Sequence, residues 1–173
     1  ISGTIPTGRE TFAFFEASRE DKREVLIDHL LNQPGYASHF FNYWADILRI
    51  LDKPSNVTYL RPYADWLKGQ LRSNAPYDQM VHAMLTAQGK SWVTPAVGYK
   101  LRDRGMPLDN LNNTVRVFMG TRIGCAQCHD HPFDNWTQKD FYELAAFEAG
   151  VRTVIPRSRF KLEESTKAQE QVT

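Results

Sequence analysis

Residues 36–51 read YASHFFNYWADILRIL, and this stretch decides the class of fold. Its apolar side chains recur at the period of an α-helix that has one apolar face. Pro34-Gly35 precedes the stretch and a turn-forming run at residues 53–56 follows it, so the predicted helix is bounded on both sides. We expect its buried face to consist of Phe40, Tyr43, Trp44, Ile47, Leu48 and Leu51.

Helical signals continue on both sides of this stretch. Thr7 or Thr11 is a suitable N-cap for a first helix, because a hydroxyl can accept from an unpaired backbone N–H. Ser18, followed three residues later by Asp21, predicts the start of a second helix in the same way. Further helices are predicted at residues 58–72, 76–88 and 95–104, from Asp109 through Met119, and after Thr137, which has Asp140 as a capping partner.

The composition supports one globular domain. With 173 residues and a hydrophobic fraction of 42%, the chain can bury a core, and no repeat or strand series interrupts the helical pattern. We therefore predict an all-α domain of about seven helices at residues 1–150, followed by a polar tail or linker at residues 151–173. The 21 basic and 20 acidic residues nearly cancel, which argues against general nucleic-acid binding. No apolar run is long enough to predict a transmembrane segment.

Residues 125–129 read CAQCH and contain both cysteines of the chain. C-x-x-C-H is the attachment signature of c-type haem, in which each thiol forms a thioether with a vinyl group and the histidine binds the iron. In a helical turn, Cys125, Cys128 and His129 would share one face. We therefore predict one covalent haem c, with His129 as the proximal ligand and the helices packed around it. The tyrosines and tryptophans of the first half are expected to line its pocket.

Two other interpretations of the motif stay open. Cys125, Cys128, His129 and His131 are four candidate ligands for a zinc ion. Zinc sites usually pair two ligand clusters, however, and the sequence offers no second cluster. A C-x-x-C disulfide or thiol switch is the remaining interpretation.

The residues that flank the motif also carry predictions. Two residues span at most about 7 Å, so His131 cannot cross a porphyrin to bind the iron that His129 holds. We expect His131 to bond a propionate, to relay a proton, to bind a neighbouring centre or simply to be polar at a helix end. Arg122, three residues before Cys125, is the best placed arginine to neutralise a propionate. The other candidate arginines are Arg49, Arg61, Arg72, Arg102 and Arg116.

The sequence pattern does not select a sixth ligand for the iron. An imidazole in that position would lower the reduction potential and a thioether would raise it. An open position would instead suit ligand binding or peroxide chemistry. The candidate ligands are His39, His82, Met80, Met84 and Met106.

Residues 118–147 read FMGTRIGCAQCHDHPFDNWTQKDFYELAAF, and they resemble the planctomycete cytochrome-associated domain family, whose function is unknown. The resemblance covers roughly residues 1–150 and implies an exported, often multidomain protein with a c-type haem. It also places His131 within the shared motif. Further similar landmarks are GTIPT at residues 3–7, WADILR at 44–49, PYDQ at 76–79 and TAQG at 86–89.

The first functional hypothesis is a c-type monohaem cytochrome domain that transfers electrons. Its partners would be redox proteins, such as other cytochromes, or a larger membrane or extracellular complex. An electron carrier is favoured over a catalyst, because no nucleophile–base constellation is evident. The alternatives are a structural or interaction subunit with a zinc-binding or vestigial motif, and a haem enzyme with an open iron position.

The motif also predicts where the protein is located. Haem is attached covalently outside the cytoplasm, which predicts a periplasmic or extracytoplasmic location. The first residues do not show the signal-peptide pattern of a basic region followed by an apolar run. We therefore expect the chain to be a processed piece or an internal segment of a longer exported protein.

Overall fold

The structure is a computed structural model that describes residues 1–50, 57–103 and 105–151. These ranges contain eight α-helices and no strand, which confirms the prediction of an all-α fold with about seven helices. None of these helices is long and apolar enough to cross a membrane. Leu51 and the predicted tail from residue 152 lie outside the described residues. The helices are α1 (Gly8–Glu16), α2 (Lys22–Leu31), α3 (Pro34–Ile47), α4 (Val57–Arg72), α5 (Tyr77–Thr86), α6 (Gly98–Arg102), α7 (Pro107–Thr114) and α8 (Gln138–Ala145).

The first two helices begin differently. The Thr7 hydroxyl accepts from the Glu10 N–H at 3.3 Å, and the Glu10 carboxylate accepts from the Thr7 N–H at 2.7 Å. This reciprocal capping box confirms Thr7 as the N-cap of α1. The second helix begins after Asp21, so the prediction of Ser18 as its N-cap is wrong. Asp21 makes no cap hydrogen bond, because Arg19 holds its two carboxylate oxygens at 2.6 and 2.7 Å.

Helix α3 is the helix that the opening stretch predicts, and it packs against α4. Leu48 at its C-terminal end is completely buried, but Phe40 is 38% and Tyr43 is 59% exposed. These two rings contact each other with their centroids 5.9 Å apart. The prediction of a buried face is therefore wrong for Phe40 and Tyr43, because α4 covers one side of α3 and leaves both rings beside water.

The first core cluster joins the end of α3 to α4, α5 and α6. Tyr63 is completely buried in it and donates its hydroxyl to the sulfur of Met84 at 3.0 Å. Burial raises the pKa of the Tyr63 phenol far above its ordinary value, so the hydroxyl remains a donor. Gly98 permits this packing, because a Cβ there would lie 2.3 Å from the Cβ of Tyr63. The cluster consists of Leu48, Tyr63, Leu67, Met80, Met84 and Tyr99.

The second core cluster organises the C-terminal part of the described chain. It joins α7, a π-helical turn at Val115–Met119, a 3₁₀ turn at Gly124–Gln127 and α8. The helix predicted from Asp109 is therefore α-helical only in its first part and continues as the π turn. That turn ends at Gly120 with φ +70°, a left-handed conformation that favours glycine. The cluster consists of Leu111, Val115, Ile123, Ala126, Phe141 and Ala145.

A buried polar network ties α6 and α7 to the segment that follows α8. Lys100 pairs with Glu148, and its ammonium nitrogen also lies 3.4 Å from the side-chain oxygen of Asn110. Asn110 donates to the Asp103 carboxylate at 3.2 Å, and Arg102 donates to the same carboxylate at 2.6 and 2.8 Å. Because these charges are paired inside the protein, they hold the end of the domain against α6.

Candidate functional site

The C-x-x-C-H segment forms one tight turn on the surface, here called the motif turn (residues 124–129). Its backbone is 3₁₀-helical over Gly124–Gln127 rather than α-helical as expected, and the N–H groups of Cys128 and His129 bond to the Cys125 carbonyl at 3.2 and 3.3 Å. Ala126 is completely buried in the second core cluster. Cys125, Cys128 and His129 are exposed, and both thiols are free. The structure therefore brings the three predicted residues together on the outside of one turn.

A hydrogen bond determines which nitrogen of His129 can bind a metal. The Nδ1 atom lies 2.6 Å from the backbone carbonyl oxygen of Asp130. A carbonyl oxygen can only accept, so Nδ1 carries the hydrogen and Nε2 of the neutral ring keeps its lone pair. Metal-binding histidines usually donate their other ring N–H to such a carbonyl. The imidazole of His129 is thus arranged to bind a metal through Nε2.

His131 has the opposite hydrogen-bonding pattern. Its Nδ1 accepts from the Phe133 N–H at 3.3 Å, so the hydrogen of the neutral ring lies on Nε2. Its backbone N–H donates to the Trp136 carbonyl at 2.8 Å, which closes the loop after the motif turn. His131 therefore offers a donor, which suits a carboxylate, and no free lone pair for a metal ion.

Helix α8 holds the motif turn through polar contacts. The Gln127 carbonyl accepts from the side-chain amide of Gln138 at 3.3 Å and from the Tyr142 hydroxyl at 3.2 Å. The Asp130 carboxylate in turn accepts from the Gln138 N–H at 2.8 Å. None of these contacts is predictable from the sequence pattern, because the partners are 8 to 15 residues apart and follow no common spacing.

The start of α8 agrees with its predicted cap. The Thr137 hydroxyl accepts from the Asp140 N–H at 3.1 Å, and the Asp140 carboxylate accepts from the Thr137 N–H at 2.9 Å. The pKa of Asp140 is lowered because its carboxylate accepts hydrogen bonds from Thr137. The bond from the hydroxyl has the larger effect and the bond from the backbone N–H the smaller one. The capping box is therefore confirmed, and it fixes the first turn of the helix that holds the motif turn.

The arginines proposed as propionate partners differ in their availability. Arg122 and Arg116 are exposed, and within the described part of the chain neither has an ion-pair partner. Arg102, in contrast, is buried with its guanidinium on Asp103. The prediction is therefore wrong for Arg102, since its charge is already neutralised inside the protein. Arg122 remains the arginine that lies nearest to Cys125 in the sequence.

The proposed sixth ligands lie in different parts of the molecule. Met80 and Met84 belong to the first core cluster, and the sulfur of Met84 already accepts a buried hydroxyl. Both methionines therefore fill the core and are not available to an iron at His129. The remaining candidates are His39 and His82, which are exposed on α3 and α5, and Met106, which is 48% exposed before α7.

The aromatic residues of the first half mostly pack against one another. Tyr63 is completely buried in the first core cluster, so the prediction that the tyrosines and tryptophans of the first half line a haem pocket is wrong for this residue. A cavity of about 150 Å³ opens between α3, α4 and α5, with Trp44 and Tyr77 among its walls. No residue of the motif turn lines this cavity.

Asn112 contributes a buried, unpartnered oxygen beside the motif turn. Its Oδ1 has no hydrogen-bond partner among the residues that the structure describes. A Cβ at Gly124 would lie 3.7 Å from this oxygen, so the amide packs against the residue before Cys125. The sequence carried no signal for this placement, because an asparagine on a polar helix is usually solvated.

The chemistry of these residues fits a covalent haem. Cys125 and Cys128 supply two exposed thiols in one turn, and His129 supplies an imidazole with Nε2 open. A zinc site fits less well, because His131 offers a donor instead of a lone pair. Within residues 1–50, 57–103 and 105–151, no three His, Cys, Asp or Glu side chains are grouped so as to share one metal ion, and this holds for the motif turn as well.

Comparison with known families identifies the family to which the chain belongs. The model of the PSCyt2 family, described as a protein of unknown function (DUF1549), matches residues 1–153. The chain belongs to this family. The PSCyt2 match extends from the N-terminus past α8, which confirms the predicted membership of a family of unknown function. The chain matches no curated protein and no solved structure.

Proposed function

We propose that this PSCyt2 domain is a c-type monohaem cytochrome domain that transfers electrons. The observation that carries the proposal is the motif turn, which exposes two free thiols and one imidazole with Nε2 open. Covalent attachment consumes two thiols and the iron takes one imidazole, so the residues match the requirement one for one. When bound, the haem supplies a one-electron couple between ferrous and ferric iron.

In this proposal each neighbouring residue has a definite task. The carbonyl of Asp130 keeps the His129 ring in the tautomer that binds metal and restricts its rotation. His131, through Nε2–H, and Arg122, through its guanidinium, donate to the propionates and offset their negative charge. The buried methyl group of Ala126 anchors the turn, so the three attachment residues keep one orientation.

The proposed partners are redox proteins, either other cytochromes or a larger membrane or extracellular complex. Exposed aromatic side chains support a protein contact in this region. Phe133, in the loop after the motif turn, is 93% exposed, and Phe147, just after α8, is 84% exposed. A contiguous apolar patch marks an interaction site, whereas single exposed side chains are common, so these two rings are positions at which contact with a partner can be tested. Because haem is attached outside the cytoplasm, we propose a periplasmic or extracytoplasmic location.

A pyridine-haemochrome spectrum of the purified chain tests the proposal. The chain is produced in a host that attaches haem c, alongside the Cys125→Ala/Cys128→Ala variant as the matched control. We expect one haem per chain, the α-band of a thioether-bound haem, and a reversible change of that band when dithionite is added. Wild-type chain without covalent haem after denaturation would overturn the proposal.

Two further measurements separate the alternatives. Elemental analysis that finds zinc and no iron would favour the structural or interaction subunit over the cytochrome. If iron is present, cyanide and carbon monoxide distinguish a carrier from a haem enzyme. A spectrum that stays unchanged indicates a filled sixth position, whereas a shifted spectrum indicates an open one.

A further inference from the structure

We propose that Tyr142 and Gln138 are positioning residues that hold the motif turn in its attachment-ready shape. Both reach from α8 to the carbonyl of Gln127, which lies between the two cysteines. The role in haem attachment rests on the proposed function, in which the turn must present two thiols and an imidazole to the haem. The contacts themselves do not depend on a cofactor.

The Gln127 carbonyl needs these two donors because the backbone supplies none. In a continuing α-helix it would accept from the N–H of the residue four positions later, His131. That N–H is bonded to the Trp136 carbonyl instead, because the chain turns away after the motif. The carbonyls at the end of a short helical turn are left without backbone partners. The amide of Gln138 and the hydroxyl of Tyr142, both on α8, donate to the Gln127 carbonyl in place of a backbone N–H.

Helix α8, which carries the two donors, is held in place by the core and by its N-terminal cap. Phe141 and Ala145 bury their side of α8 in the second core cluster, at 0% and 8% exposure. The first turn of α8 is fixed by its capping box, and the Asp130 carboxylate returns from the loop to the Gln138 N–H. The motif turn is therefore bonded to α8 at two points. One is the Gln127 carbonyl before Cys128, and the other is the Asp130 carboxylate after His129.

The two hydrogen bonds to the Gln127 carbonyl stabilise the shape of the turn that contains Cys125, Cys128 and His129. The N–H groups of Cys128 and His129 both depend on the Cys125 carbonyl, and the Gln127 peptide lies between these partners. If the Gln127 carbonyl is released, that peptide can rotate and both hydrogen bonds open more often. Opening separates the two thiols from the imidazole. A turn held closed, in contrast, presents all three groups at once, which is the advantage of a preorganised site.

Amide hydrogen exchange on the haem-free chain under reducing conditions tests directly whether Tyr142 and Gln138 hold the motif turn closed. The variants are Tyr142→Phe, Gln138→Leu and the double variant. Tyr77→Phe is the matched control, because Tyr77 is 50% exposed and its hydroxyl has no hydrogen-bond partner within the described residues. We expect the Cys128 and His129 amides to exchange about threefold faster in each single variant and about tenfold faster in the double variant. The control should match wild type, and circular dichroism should show equal helix content throughout.

The same variants are then produced in a host that attaches haem c. We expect the double variant to carry less covalent haem per folded chain than wild type and Tyr77→Phe. Exchange rates that do not change in the double variant would overturn the proposal. Faster exchange with undiminished haem loading would also overturn it, since the turn would then not matter for attachment. Faster exchange in a protein whose wild type carries no haem would support the positioning role and contradict the proposed function alone.

Discussion

The Nδ1 atom of His129 lies 2.6 Å from the carbonyl oxygen of Asp130, the next residue in the chain. This short contact leaves Nε2 as the one ring nitrogen with a free lone pair. It is formed by neighbours in the sequence, so it depends directly on the local shape of the motif turn. The turn in turn depends on α8 and on the burial of Ala126.

Replacing His129 by alanine should remove the proximal ligand without unfolding the domain. The side chain is exposed, so the free energy of unfolding should change by less than about 0.5 kcal/mol. The attached haem should show a shifted Soret band, because the iron loses an imidazole. His29→Ala, which removes another exposed histidine, serves as the control and should leave the spectrum unchanged. An identical Soret band in His129→Ala and wild type would contradict the assignment of the ligand.

Removing one partner of the buried Lys100–Glu148 pair should destabilise the domain strongly. Glu148→Ala leaves the Lys100 ammonium group buried and unpaired, which typically costs about 3–5 kcal/mol. The double variant Lys100→Met/Glu148→Leu should be more stable than Glu148→Ala, because it buries no unpaired charge. Urea unfolding followed by circular dichroism measures both. Equal stability of Glu148→Ala and wild type would show that the pair does not hold the end of the domain.

A methyl group at Gly98 should disturb the contact between α4 and α6. The new Cβ would meet the Cβ of Tyr63 at 2.3 Å, and overpacking of this kind typically costs about 1–3 kcal/mol. Gly69→Ala is the matched control, because a Cβ at Gly69 in α4 meets open space. Alanine there should stabilise the helix by about 0.5–1 kcal/mol. Thermal unfolding of both variants measures these changes in stability. A Gly98→Ala protein as stable as wild type would contradict the close packing of Gly98 against Tyr63.

The capping box of α8 should make stability depend on pH in the acidic range. The pKa of Asp140 is lowered in the folded protein by the Thr137 hydroxyl and N–H, so folding favours the carboxylate. Its contribution is therefore fully present above the pKa of the unfolded chain and is lost as the pH falls through the lowered folded pKa. Asp140→Asn should lower the melting temperature at neutral pH and have little effect at acidic pH. Asp28→Asn, at an exposed carboxylate without a capping role, is the control. A difference that persists in acid would contradict this assignment.

Local signals in the sequence predicted local features well. The Thr7 and Thr137 caps are confirmed because a capping box involves residues three apart. Cys125, Cys128 and His129 follow one another in a turn that is 3₁₀-helical at Gly124–Gln127 instead of α-helical, and their role in binding haem stays a prediction. These predictions depend on spacing alone, which a sequence displays directly.

The features that the sequence did not predict depend on distant partners. Ser18 is an exception, because it looked like an N-cap but the nearby pair of Arg19 and Asp21 forms instead and the helix begins later. Phe40 has the spacing of a core residue, yet no neighbouring helix covers it completely. The support of the motif turn by Tyr142 joins residues 15 positions apart, and periodicity carries no information about such pairs.

The central claim is that Cys125 and Cys128 hold one haem covalently. Haem staining of a denaturing gel tests it most directly, with an intact-mass measurement of the same chains from a host that attaches haem c. Wild type should stain and show the mass of the chain plus one haem. Cys125→Ala/Cys128→Ala should be folded and unstained, since both replaced side chains are exposed. Wild-type chain that is unstained and has the mass of the polypeptide alone would contradict the claim.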